Sequence, residues 1–74
     1  VTIPHAVVGY MIIGGMTPVE AWRRHLGLSQ SEVAMRIGIS QPAYAQHEQA
    51  TKPSKAIREM IAAALGITPD LLDI

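Results

Sequence analysis

The apolar residues of this chain fall into short runs, each opened by a capping residue and most closed by glycine. That rhythm predicts a succession of short helices. It is clearest between Gln30 and Glu48. Val33, Ala34 and Ile37 stand at i, i+1 and i+4, one face of a helix. Ser29 precedes them with Glu32 three residues on, which makes a capping box. Gly38 follows, where a helix end takes a left-handed residue, and Ile39 is placed to plug the corner. Ser40 then offers a second N-cap. Tyr44 and His47 take the inward spacing of the helix it opens, which points Gln41, Pro42, Ala45 and Gln46 outward. Pro42 disfavours helical angles at Gln41. Either Ser40 caps with Pro42 in the first turn, or Gln41 is the last non-helical residue.

The same signals recur on both sides. Pro4 suits a first helical turn, and the nearly all-apolar run Ala6 to Ile13 predicts a helix from about Pro4 to Ile13, ended by Gly14-Gly15. A strand is the alternative, given the Val and Ile content. Apolar residues on all sides imply burial on more than one face, in the core, at a dimer contact or at the end of a linker. Thr17-Pro18-Val19-Glu20 opens another helix, running to about Leu26 and stopping at Gly27. Ala21, Trp22, His25 and Leu26 form its expected inward side, with Arg23 and Arg24 wet. Leu28 is expected between helices. Ser54 caps Lys55 to Leu65, closed by Gly66, with Ile57, Met60, Ile61, Ala64 and Leu65 assigned to the core. Thr68 to Leu72 opens a last short helix, and Leu71, Leu72 and Ile74 make an apolar tail. The fold class is all-α, a compact bundle of about five short helices with an extra N-terminal helix. Residues 1–15 form the apolar helix and residues 16–74 the main domain.

Composition narrows this further. Seventy-four residues make one domain, and so small a core gains from oligomerisation. The chain has no cysteine, so it has no disulfide or cysteine-ligated metal, which fits a reducing compartment. The N-terminal run is too short to span a bilayer and lacks a basic leader and cleavage site. The chain begins at Val1, as a piece of a longer protein or a processed one would. Net charge is zero, which counts against nucleic-acid binding. Yet all six basic residues, Arg23, Arg24, Arg36, Lys52, Lys55 and Arg58, lie between positions 23 and 58, where the acids are Glu32 and Glu48, so that window carries +4. Phosphate contacts need local charge, not net charge.

The outward face of Gln41, Pro42, Ala45 and Gln46 holds two glutamines, no charge and no large apolar group. A merely solvated face more often carries Lys and Glu. A glutamine amide pairs with the N6/N7 edge of adenine in the major groove, and Pro42 and Ala45 suit a thymine methyl. The spacing of Gln30, Ala34, Gly38, Tyr44 and Glu48 resembles the helix-turn-helix of Cro and lambda-repressor-like proteins, the XRE family, with the motif at residues 30–49. The resemblance covers about Thr17 to Ile74.

That resemblance implies a lambda-repressor-like domain that binds a double-stranded DNA operator as a homodimer, a transcriptional regulator of bacterial or phage origin in the cytoplasm, without cofactor. It implies phosphate contacts by Gln30, Arg36, Ser40, Thr51 and Lys52, with Arg23 or Lys55 as additions. Gln49-Ala50 departs from the family's usual Asn-Gly after Glu48, and the loop is one residue shorter. A left-handed turn without glycine costs more, which weakens the expectation for that loop. The join of an Ile-Pro-His segment through Gly-Met-Thr-Pro to Ala-Trp-Arg-Arg resembles the C-terminal DNA-binding half of certain prophage and toxin–antitoxin antitoxins. It implies a cognate toxin held through a separate N-terminal region.

Two rival function classes stand beside DNA binding. For an enzyme, His5, His25 and His47 are the groups that titrate near neutrality, but no nucleophile–base–carboxylate spacing, glycine-rich phosphate loop or metal-ligand cluster accompanies them. For a protein-interaction module of the same shape, zero net charge and the altered loop speak in favour. The glutamine face and the basic window speak for DNA.

Overall fold

The computed structural model describes residues 3–73, with helices where the caps predict them. α1 is His5–Ile12, α2 Pro18–His25, α3 Gln30–Ile37, α4 Gln41–Gln49 and α5 Lys55–Leu65, followed by a 3-10 helix, Pro69–Leu72. There is no strand among the described residues.

The starts of α2 to α5 are each fixed by a side-chain acceptor for an otherwise unpaired N–H, whereas Pro4 before α1 and Thr68 before the 3-10 helix make no such bond. Thr17 accepts from Glu20, Ser40 from Ala43 and Ser54 from Ile57. Ser29 and Glu32 exchange the two bonds of a full capping box. Such caps contribute about 1 kcal/mol each. Ser40 is thus the cap of α4, and Pro42 sits in its first turn. At the other ends, Gly38 (φ +90°) and Gly66 (φ +76°) turn left-handed. The next amides, Ile39 and Ile67, then bond back to Ala34 and Ala62.

α1 packs on α2, α3 packs on α4 and α5, and the 3-10 helix closes over α5 and α2. The core at their centre is Val19, Ala21, Trp22, Val33, Ala34, Tyr44, Ile61, Ala62, Leu65 and Leu72, joined by Val7 from α1. Trp22 Nε1 donates to the Leu71 carbonyl at 3.0 Å, tying the tail to the second helix. Ile39 and Leu28 pack against this core as expected; Ile74 lies outside the described residues.

Several inward assignments shift. α1 has one strong neighbour, so it buries one stripe. Val7 is enclosed, but Ile12 and Ile13 are 77% and 89% exposed, so within the single chain α1 is covered on one face. In α2 the inward line is Val19, Trp22 and Arg23, at i, i+3 and i+4. The helix ends at His25, so His25 and Leu26 fall at its exposed end, His25 edge-on to Trp22 with ring centroids 5.9 Å apart. In α4 the buried pair is Tyr44 and Glu48, and His47 is half-buried. Met60 flanks the stripe set by Ile61, Ala62 and Leu65 and is largely exposed. Among the described residues no helix is long and apolar enough to cross a membrane.

The two glycine environments predict opposite outcomes for one substitution. An added methyl meets nothing within 4 Å at either Gly38 or Gly9. Gly38→Ala should lower stability by about 1–2 kcal/mol, because φ is positive there. Gly9→Ala should raise it by about 0.5–1 kcal/mol, because Gly9 is inside a helix. Urea midpoints check this; equal signs would refute the backbone explanation.

Candidate nucleic-acid interface

A two-pronged ion pair underlies the outer face of α3 and α4. Arg23 Nε donates to Glu48 Oε2 at 2.7 Å and Nη2 donates to Oε1 at 3.1 Å. Glu48 is fully enclosed and Arg23 nearly so. Arg23, expected to be wet, is therefore internal and unavailable to a phosphate. The third prong, Nη1, donates to the Leu28 carbonyl at 2.8 Å, and Thr17 Oγ1 donates to the Glu48 carbonyl at 2.6 Å. Arg23 and Glu48, through side chains and backbone together, thus tie the start of α2, the α2–α3 turn and the end of α4.

From that carboxylate a relay runs to the surface. Gln30 Nε2 donates to Glu48 Oε1 at 3.0 Å, and Gln41 Nε2 donates to Gln30 Oε1 at 2.6 Å. An ionised carboxylate only accepts, so Gln30 must present its NH₂ to Glu48 and its oxygen to Gln41. Each amide is fixed in turn. Gln41 keeps its Oε1 acceptor and one N–H donor free, the pair that adenine's N6/N7 edge requires. Gln30 keeps one N–H, which suits a phosphate oxygen.

Around this relay, Gln41, Pro42 and Gln46 are exposed and Ala45 is half-buried, on one face of α4. Ser40, Thr51 and Lys52 are exposed at the two ends of that helix. Arg36 is not brought to this group. It lies six residues along α3 from Gln30, about 9 Å, and its Nη1 donates to the Ala64 carbonyl near the end of α5 at 3.0 Å. The loop after Glu48 avoids the costly left-handed turn: Ala50 is extended (φ −67°, ψ 129°). Gln49 Nε2 donates to Glu20 Oε1 at 3.1 Å, and Arg24 pairs with Glu20 Oε2 at 3.1 Å, so the end of α4 is also laced to α2 at the surface.

A family profile described as helix-turn-helix matches residues 19–72. The chain belongs to the Cro/lambda-repressor-like helix-turn-helix family. No curated protein and no solved structure matches the chain. The family is one of DNA-binding regulators, and the matched residues include both α3 and α4.

The electrostatics of the helix-turn-helix centre on the buried pair. Burial pushes the Glu48 carboxyl up, but the hydrogen bonds from Arg23 and Gln30 and the charge of Arg23 outweigh this and hold it below the ordinary range. The hydrogen bond to Glu48, above all, raises Arg23. Tyr44, whose hydroxyl has no hydrogen-bond partner among the described residues, is driven far up by burial and then by its Glu48 neighbour. The pair removes one charge of each sign from the basic window, so its surface balance stays +4. Sequence reasoning missed the pair. A signal existed: Glu48 stands four residues after the inward Tyr44, and a carboxylate on an inward line demands a buried cation.

Glu48→Gln should cost about 3–5 kcal/mol by stranding the Arg23 charge, comparable to the roughly 4–11 kcal/mol expected for a chain this size. Arg23→Met with Glu48→Leu should recover most of it, as read by urea unfolding. The pH dependence follows in sign. Because the folded Glu48 pKa is depressed, its contribution is present above the unfolded value near 4.5 and is lost as pH falls through the folded one. Glu32 adds to this in the same direction, held low by the Ser29 backbone N–H. The double variant should therefore show a flatter stability profile below about pH 4.5; an unchanged profile would remove Glu48 from the acid transition.

Proposed function

We propose that this domain is a sequence-specific transcriptional regulator that reads the major groove of an operator, acting as a repressor through binding rather than catalysis. The observation that carries the reading is the exposed glutamine pair on α4, one member of which is oriented through Gln30 by a buried carboxylate. Gln41 and Gln46 read base edges, with Pro42 and Ala45 against thymine methyls. Gln30, Ser40, Thr51 and Lys52 hold phosphates, through N–H, hydroxyl and ammonium donors. Arg36 is left out of this set, because its bond to Ala64 faces it toward α5.

The working unit in this reading is a homodimer that places two α4 helices in successive major grooves, about 34 Å apart. α1 supplies the contact surface: Val8, Tyr10, Ile12 and Ile13 are exposed on it. An autoregulating antitoxin is the narrower form of the same reading, with a cognate toxin as second partner. A protein-interaction module draws its support from the zero net charge.

A salt titration of binding to random-sequence DNA, followed by selection of tight binders, tests this. A steep loss of affinity with salt and a palindromic winner are expected; no binding at low salt would put the interaction module first. Gln46→Ala should cost about 1–3 kcal/mol on the selected site and little on random DNA. Equal losses on both would remove Gln46 from base reading. Lys52→Ala should weaken all sequences alike and reduce the salt slope by about one unit; an unchanged slope would deny the phosphate contact.

A further inference from the structure

Arg58 occupies a core-facing position without a core residue's chemistry. Residues 58, 61, 62 and 65 recur at i, i+3, i+4 and i+7, and Ile61, Ala62 and Leu65 of this line are buried. Arg58 begins it. Its Nε is sealed from solvent and has no hydrogen-bond partner among the described residues. The ion pairs among those residues are Arg23–Glu48 and Arg24–Glu20, so Arg58 belongs to neither. A buried donor without an acceptor is unfavourable, and the same side chain borders open space. Arg58 lines a cavity of about 420 Å³ together with Thr51 and Lys52 of the α4–α5 loop and Asp73 of the tail.

We propose that this cavity binds a phosphate-type oxyanion. The guanidinium supplies a planar fork of donors that matches such an anion, Lys52 supplies a mobile charge, and the Thr51 hydroxyl supplies a further donor. The volume lies within the roughly 300–1,000 Å³ of small-molecule clefts, so a phosphate carrying an organic group fits. Pro18, Pro53 and Leu72 make the apolar wall for that group. Asp73 opposes the anion and leaves the lining charge at +1, which sets a moderate affinity. The anion has two sources, a DNA backbone phosphate or a free phosphate-bearing molecule. The first rests on the DNA-binding reading, which places Thr51 and Lys52 on the backbone. A free occupant would instead compete with DNA for those two side chains and so regulate the domain.

The test is a titration of the isotope-labelled protein with inorganic phosphate against chloride at constant ionic strength, following the Arg58 Nε–H resonance. Saturable shifts, tightened severalfold by Asp73→Asn and abolished by Arg58→Gln, are expected. Absent or non-saturable shifts exclude a site for the free anion. A second arm measures the salt slope of Arg58→Gln on random duplex DNA. A slope reduced by about one unit assigns the site to a backbone phosphate; an unchanged slope with saturable phosphate binding assigns it to a free anion. Failure in both arms overturns the proposal. Loss of DNA binding in the unmodified protein with phosphate binding intact would defeat the DNA-binding reading alone. If Arg58→Gln does not fold, Asp73→Asn carries the test, since it leaves Arg58 in place: no tightening would overturn the site.

Discussion

The bidentate bond between Arg23 and Glu48 is the constraint on which the rest of the site depends. A buried ion pair is a weak source of net stability, because desolvating two charges offsets their attraction. What it supplies is geometry. Glu48 stands at the end of α4 and Arg23 inside α2, so the pair sets the seat of the recognition helix against the scaffold. The Leu28 and Glu48 carbonyls enter the same network, which fixes the turn before α3 as well. Because the carboxylate accepts and never donates, its polarity propagates outward through two amides. The direction in which Gln41 faces solvent is therefore decided two side chains away, in the interior.

This arrangement also separates two jobs of charge. Arg23 and Glu48 are internal and cancel, Arg24 and Glu20 hold each other at the surface, and Arg36 caps α5. The cations left for a polyanion are few, Lys52 and Lys55 foremost. In the proposed reading, a domain with zero net charge relies on oriented amides and hydroxyls more than on a broad basic field. That favours discrimination between sites over indiscriminate attraction to the duplex.

Helix positions were legible in the sequence because their signals are local. Ser29 with Glu32, Ser40, Ser54, Gly38 and Gly66 each satisfy backbone groups within a turn or two, and the structure uses every one of them. The outward set on α4 was legible for the same reason, since Tyr44 fixes the helix's rotation. Side-chain burial at helix ends was less so. His25, Leu26 and Met60 depend on where a neighbouring helix stops, which periodicity does not encode. Arg23 was misread because residue type argued for water while its spacing from Val19 argued for the core. Only Glu48, twenty-five positions away, resolves the conflict. Arg58 poses the same conflict, a charged residue on an inward stripe, with its Nε buried and without a hydrogen-bond partner among the described residues.

α1 holds to the remainder through one fully enclosed side chain, Val7, with Ile3 and Met11 partly covered. The later helices share a continuous core and an ion-pair network. Such unequal anchorage makes α1 the helix with the least buried surface tying it to the fold. A surface attached in this way can change its sequence, or its partner, with little disturbance to the outer face of α4. The two parts of the chain are thereby free to evolve at different rates.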